Sequence, residues 1–243
     1  MPDTASEIDF DAVRVLAGER ELLSVPSLRL QEERISVIGP NGGGKSTLLQ
    51  LINGLVEPSE GHVTVRGLDT VGQGREVRRR VGFVFSNPAA QLVMPTPEED
   101  VELSLRRTVK DRRERRRLVT SCLEELGITD LAGRSSHELS GGQQQLVALA
   151  TVLVMEPEVL ILDEPTTLLD LVNAQLFTRI VHTLSEHRGI QVITATHDLE
   201  LAAEAGRCLL VDGGTILTDG SPGEVIAGYR ELARRRTGPA GTR

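Results

Sequence analysis

The sequence predicts an α/β fold: a mostly parallel sheet with helices, an N-terminal antiparallel β subdomain and an inserted helical subdomain. Three observations predict it. Apolar, β-branched runs alternate with stretches of helical period along most of the chain. A glycine-rich loop, Gly39-Pro40-Asn41-Gly42-Gly43-Gly44-Lys45-Ser46-Thr47, joins one such run, residues 34–38, to a helix whose first turn is 45–47. Between about residues 86 and 155, prolines and heavily charged helical segments replace the strands.

The elements follow in order. Residues 8–33 alternate weakly, as two or three antiparallel strands joined by the polar turn 17–21 would. After the first helix, 58–61 makes a turn and 62–67 alternates as another strand. The basic cluster 75–80 reads as a solvated helix end or a docking face, before a strand at 81–85. Pro88, Pro95 and Pro97 then break the chain. Residues 98–107 look helical, and 111–126 form a second helix with Leu118, Val119, Cys122, Leu123 and Leu126 on one face. The arginines of that helix read as a solvated face, with contact to a partner or to acidic headgroups as the alternative. A helix over 144–155 is followed by four apolar residues, 159–162, ending in Asp163 and Glu164. Such a run is a buried parallel strand, which places both acids at the sheet edge where α/β folds bind ligands. A helix over 171–188, a strand over 191–196 delivering His197 and Asp198, two short strands around Asp212-Gly213-Gly214 and a helix from Pro222 complete the domain, residues 1–228. Residues 229–243 are expected to form a basic C-terminal tail.

The glycine-rich loop fits the phosphate-binding pattern G-x-x-x-x-G-K-[ST], and its strand–loop–helix context defines a P-loop NTPase with a RecA-like sheet. Its glycines let the backbone wrap a phosphate and aim N–H groups inward, and the helix start adds unpaired donors. Lys45 is placed to neutralise the β- and γ-phosphates, and the Ser46 hydroxyl to bind Mg²⁺. Asp163 offers a second Mg²⁺ ligand, Glu164 a group to orient and polarise the attacking water, and His197 a contact to the γ-phosphate. ATP and Mg²⁺ are the expected cofactors.

Bulk numbers narrow the class. With 27 Lys and Arg against 35 Asp and Glu, the formal net charge of −8 argues against general nucleic-acid affinity. Aromatics make up only 2% of the residues, so the core must be built from Leu, Val, Ile and Ala. The sequence shows no apolar run long enough to cross a bilayer and no secretory signal, and its two cysteines lack metal-type spacing. A cytoplasmic protein with reduced thiols is expected.

The glycine-rich loop, Leu139-Ser140-Gly141-Gly142-Gln143, Leu162-Asp163-Glu164-Pro165-Thr166, Leu169-Asp170 and Ala195-Thr196-His197-Asp198 together resemble the motifs of ATP-binding cassette (ABC) ATPases, in that family's order, over residues 8–228. The resemblance implies a head-to-tail dimer in which ATP held by the loop of one subunit is covered by Ser140, Gly141, Gly142 and Gln143 of the other. It also implies that Asp170 lies at the dimer seam. One complete motif set in one chain points to a homodimer. The layout of 86–92 and 95–101 resembles the energy-coupling-factor branch, which powers vitamin and transition-metal uptake through a transmembrane coupling protein and a substrate-capturing membrane protein. Thr167 to Leu171 and Phe85 to Pro88 look most like the biotin-type ATPase. The resemblance thus implies an ATP-hydrolysing importer subunit, peripheral on the inner face of the cell membrane. The alternatives are cobalt or nickel uptake, a soluble ABC ATPase without a membrane partner, and a binding subunit with little activity.

The chain departs from the family pattern in three places. Ser86 stands where the family usually has a glutamine that touches Mg²⁺ and the lytic water, which predicts slower hydrolysis resting on Glu164 and His197. Near Val15 and Leu16 there is no aromatic to stack on adenine, which predicts weak discrimination of ATP from GTP. Gly43 stands where serine is common, and glycine there is expected to be harmless.

Overall fold

The computed structural model describes residues 7–237, so the end of the expected tail, 238–243, lies outside the described residues. The chain forms two compact units, one from the residues up to Gly74 together with those from Ile193 onward, the other Arg75–Val192.

In the first unit, β1 (Ile8–Ala17) and β2 (Arg20–Leu30) form the expected antiparallel pair. Alternation buries Ile8 and Phe10 of β1 and then, past a bulge at Ala12 (φ 49°), Val13 and Val15. β1 also pairs antiparallel with β4 (Glu60–Val65), and β4 with the two-residue β5 (Leu68–Asp69). The strand order β5-β4-β1-β2-β10-β9-β3 continues through β10 (Thr215–Gly220), β9 (Arg207–Asp212) and β3 (Arg34–Ile38). β3 and β9 run parallel and are buried, whereas β9 and β10 form an antiparallel hairpin. Helix α1 (Lys45–Asn53) follows β3 across the loop of residues 39–44 and ends on Gly54, a left-handed C-cap. Ile38, Cys208 and Leu210 pack with Ala202, Val225 and Ile226 of helices α7 (Leu199–Ala203) and α8 (Pro222–Thr237).

α8 begins where expected but runs further. The basic residues Arg234, Arg235 and Arg236 form its last turn rather than the start of a tail. Arg235 pairs with Glu231 one turn back at 3.0 Å, and Arg236 reaches Asp212 at the end of β9 at 2.6 Å. Cations in the last turn also suit the helix dipole.

The second unit contains α2 (Gly74–Arg80, which begins at the boundary), the parallel pair β6 (Val81–Val84) and β7 (Val159–Asp163), and the helices between and after them. These are α3 (Pro97–Leu105), α4 (Arg112–Glu125), α5 (Gly141–Leu153) and α6 (Leu171–Arg188). β8 (Gln191–Ala195) leads back into the first unit. The predicted face of α4 is the buried one: Val119, Cys122, Leu123 and Leu126 join Val101 and Leu105 of α3 and Val147 and Leu149 of α5 in one core. Each fully buried side chain of this kind contributes about 1.5–3 kcal/mol. Both cysteines are buried, and burial pushes their thiols up to about 12, so they act as small apolar fillers.

Candidate nucleotide site

The phosphate loop is shaped from beneath as well as by its own glycines. Gly39, at φ 145°, lies so close to β9 that an ideal Cβ would fall 1.9 Å from the carbonyl oxygen of Val211. Gly43 is similarly placed, with its ideal Cβ 2.8 Å from the Val211 oxygen and 3.0 Å from that of Pro40. Backbone on both sides would have to yield before a side chain fitted at Gly43, so glycine suits the position. The turn after β9 adds a strut, since the Gly214 N–H donates to the Gly43 carbonyl at 2.9 Å. The Ser24 N–H of β2 in turn donates to the Gly214 carbonyl at 2.7 Å.

Within this frame the Lys45 side chain is buried, and its ammonium donates to the carbonyls of Gly39 (3.0 Å) and Pro40 (3.3 Å). Lys45 thus lies along the concave side of the loop, beside the carbonyls of its first two residues. Ser46 and Asn41 are exposed, and Thr47 half-buried, in the loop and the first turn of α1. On the next strand, the Thr196 N–H donates to the Val37 carbonyl at 3.0 Å, fastening the end of β8 to β3. His197 follows as an exposed residue, and Asp198 caps α7 by accepting from the Glu200 and Leu201 N–H groups at 2.9 and 3.2 Å. The first unit therefore brings the loop and His197 to the ends of neighbouring strands.

The second unit carries the remaining predicted residues. Asp163 ends β7 and is buried. Glu164 follows it at φ 50°, a left-handed backbone uncommon for a residue with a side chain. Such strain concentrates where a side chain must be aimed. The Thr167 hydroxyl is 3.4 Å from one Glu164 carboxylate oxygen.

Ser140 caps α5 through a full capping box: its hydroxyl accepts from the Gln143 N–H, and the Gln143 side chain accepts from the Ser140 N–H at 3.0 Å. α5 thus begins at Gly141, three residues before the sequence suggests. Asp170 caps α6 by accepting from the Asn173 N–H at 2.8 Å and from its side-chain amide at 2.9 Å. Gly142 lies against the Asn173 side chain and Gly141 against the Leu168 carbonyl, so the two caps sit side by side.

Two groups escaped sequence reasoning. The turn of residues 211–214 braces the phosphate loop, a tertiary contact that no local pattern announces. Gln91 pins the exposed Ser86 segment to α5: its carbonyl accepts from the Phe85 N–H, and its amide donates to the Ala148 carbonyl and the Thr151 hydroxyl, each at 3.2 Å. A glutamine three residues after Pro88 was visible in the sequence, but its partners were not.

Ser46 and Asp163 offer a hydroxyl and a carboxylate, hard oxygens of the kind Mg²⁺ takes in ones and twos while phosphates and water fill its other positions. Each of the two, Ser46 in the first unit and Asp163 in the second, is by its chemistry a fit for that ion.

A phosphate loop after a buried strand, an acidic pair closing another strand and a capped glycine-rich helix start define a cassette ATPase. The ABC transporter family model matches residues 26–167, and the chain belongs to that family. It is 42% identical over 226 residues to the biotin transport ATP-binding protein BioM of Rhizobium etli, across 93% of this chain and 99% of that one. It is 37% identical over 219 residues to the energy-coupling factor transporter ATP-binding protein EcfA1 of Bacillus subtilis, across 89% and 78%. Among solved structures it is similar to cbiO1 of Clostridium perfringens, part of the ABC transporter complex cbiONQ (TM-score 0.82, 29% identity, 96% and 95% covered). It is also similar to a dimeric ATP-binding cassette bound to ADP and Pi (TM-score 0.80, 30% identity, 88% and 98% covered). The protein is an ATP-binding, ATP-hydrolysing transporter subunit of the energy-coupling-factor type.

Proposed function

We propose that this ATPase drives uptake of a vitamin, biotin, by closing as a homodimer around ATP and reopening after hydrolysis. The observation that carries the cargo is the near full-length similarity to the biotin transport ATP-binding protein. In this reading the amides of residues 39–47 and the Lys45 ammonium hold the β- and γ-phosphates. Ser46 and Asp163 hold Mg²⁺, which neutralises phosphate charge when bound. Glu164 orients and polarises the attacking water, and His197 contacts the γ-phosphate. The capped start of α5, with Ser140, Gly141, Gly142 and Gln143, covers the ATP bound by the second copy, and its free N–H groups suit a phosphate. Asp170 lies at the seam. Ser86 is too short for the usual glutamine's metal contact, so turnover rests on Glu164 and His197.

The subunit lacks a helix long and apolar enough to cross a membrane among the described residues. It works peripherally, on the inner face of the cell membrane, through a transmembrane coupling protein and a substrate-capturing membrane protein. The test is a pull-down of the tagged chain from its own cell membranes, alongside turnover of Glu164→Gln. A small multi-spanning protein, a biotin-loaded partner and a mutant trapped as an ATP-bound dimer are expected. Cobalt or nickel in place of biotin would replace the cargo alone. A chain found only in the soluble fraction would end the importer reading.

A further inference from the structure

The hairpin between α3 and α4 carries charge opposite to the rest of the molecule. Residues 106–117 hold eight cations against Asp111 and Glu114, whereas the remainder of the chain holds 19 Lys and Arg against 33 Asp and Glu. The hairpin's carboxylates are already engaged. Asp111 caps α4 by accepting from the Arg113 and Glu114 N–H groups at 2.6 and 3.1 Å, and Glu114 accepts from Arg117 at 2.7 and 3.0 Å. Arg115 folds inward onto Glu102 at 2.9 Å and onto the carbonyls of Val109 and Lys110.

Six cations are left over: Arg106, Arg107, Lys110, Arg112, Arg113 and Arg116. All are exposed, and their side chains make no hydrogen bond or ion pair among the described residues. Elsewhere the arginines are handled differently. Arg14, Arg29 and Arg207 each bind two carboxylates. Six unneutralised charges within eleven residues of chain (106–116) repel one another, most strongly inside a Debye length of about 8 Å, which favours an anionic counterpart.

We propose that this hairpin is a docking surface for anionic lipid headgroups. The proposal rests on the membrane-bound working place argued above but not on the cargo. Two observations favour a lipid surface over an acidic protein or nucleic acid. None of the exposed large apolar side chains lies in the hairpin, so it has no apolar anchor to seat in a protein pocket. In addition, the rest of the chain is strongly acidic and is repelled by the same membrane. Attraction at the hairpin with repulsion of the net-acidic remainder favours binding with the hairpin towards the bilayer. α3 and α4 share a core with α5, so a hairpin held at the membrane is mechanically connected to the helix that starts at Gly141.

The test is flotation of the full chain with vesicles of phosphatidylcholine, with and without phosphatidylglycerol, at low and high salt. The wild-type chain is expected to float only with the anionic vesicles and to be released by salt. A basic side chain near such a surface contributes about fivefold in partitioning, so Arg106→Gln, Arg107→Gln, Arg112→Gln and Arg113→Gln together should weaken binding roughly several hundredfold. The fourfold Arg→Lys variant should still bind, because charge rather than guanidinium geometry is used. Soluble ATP turnover and melting temperature should be unchanged in both. A wild-type chain that ignores anionic vesicles, or a neutralised chain that floats like it, overturns the proposal. If vesicles are ignored while neutralisation abolishes co-purification with a membrane protein, the surface belongs to an acidic protein partner, and the lipid proposal falls.

Discussion

Gly39→Ala tests whether the phosphate loop is shaped by its support. The new methyl would sit 1.9 Å from the Val211 carbonyl oxygen, about 1.5 Å inside an ordinary 3.4 Å contact. β9 cannot retreat easily, because Leu210 pairs with Ile38 of β3, Val211 with Ile216 of β10, and Val211 is fully buried. The loop must move instead, pulling the Gly39 carbonyl away from Lys45. Overpacking of this kind costs about 1–3 kcal/mol. Holding φ at 145° with a side chain adds about 1–3 kcal/mol more. At about 1.4 kcal/mol per tenfold, a total of about 2–6 kcal/mol lowers ATP affinity about thirtyfold at the least and about ten-thousandfold at the most. Titration with a fluorescent ATP analogue gives the affinity, and the rise in melting temperature on adding ATP reports it independently, since ligand binding to the folded state stabilises it. A Gly39→Ala protein that binds ATP within about threefold of wild type and keeps its ATP-induced melting shift refutes the reasoning.

Three further outcomes are expected. Ser140→Ala removes the hydroxyl half of the capping box and should lower the local stability of the first α5 turn by about 1 kcal/mol; hydrogen exchange at the Gln143 amide reads this, and unchanged protection contradicts it. Asp100 is buried, and burial holds its carboxyl above the usual range although Oδ1 accepts from the Val93 and Met94 N–H groups. A raised folded-state value gives stability that is present below the unfolded value and is lost as pH rises through the folded one. Asp100→Asn keeps the acceptor and should flatten that acid-side slope in a melting series, whereas an unaltered slope assigns it to other groups. With no aromatic near Val15 and Leu16, ATP and GTP should bind within about threefold of each other, and Leu16→Tyr should tighten both by stacking at about 1–3 kcal/mol; a strong ATP preference in the wild type counts against this.

Legibility followed the reach of each signal. α6 was read with its true ends because Asp170 and Gly189 mark them locally, as an N-cap and a left-handed C-cap. β3 was equally plain, since a short β-branched run ahead of a glycine loop has few other uses. The start of α5 was misplaced because Gly141 and Gly142 read as breakers, whereas the capping box formed by Ser140 and Gln143 outweighs their poor helix propensity. α7 was missed because five residues are too few to show a period. The extension of α8 depends partly on Arg236 meeting Asp212, a pairing far apart in sequence. For the site, the residue types were legible and the scaffolding was not: Val211 and Gly214 act through backbone contacts, and Gln91 through side-chain bonds to α5, and neither carries a sequence signature.

The brace beneath the phosphate loop makes two distant segments a single inheritable part. The shape of the loop is held by the hairpin turn of residues 211–214, far along the chain. Transplanting residues 39–47 alone into another scaffold would carry the letters of the motif without its shape. A change at Gly43 can be accommodated by a matching shift in the turn of residues 211–214, so the two stretches are free to drift only as a pair.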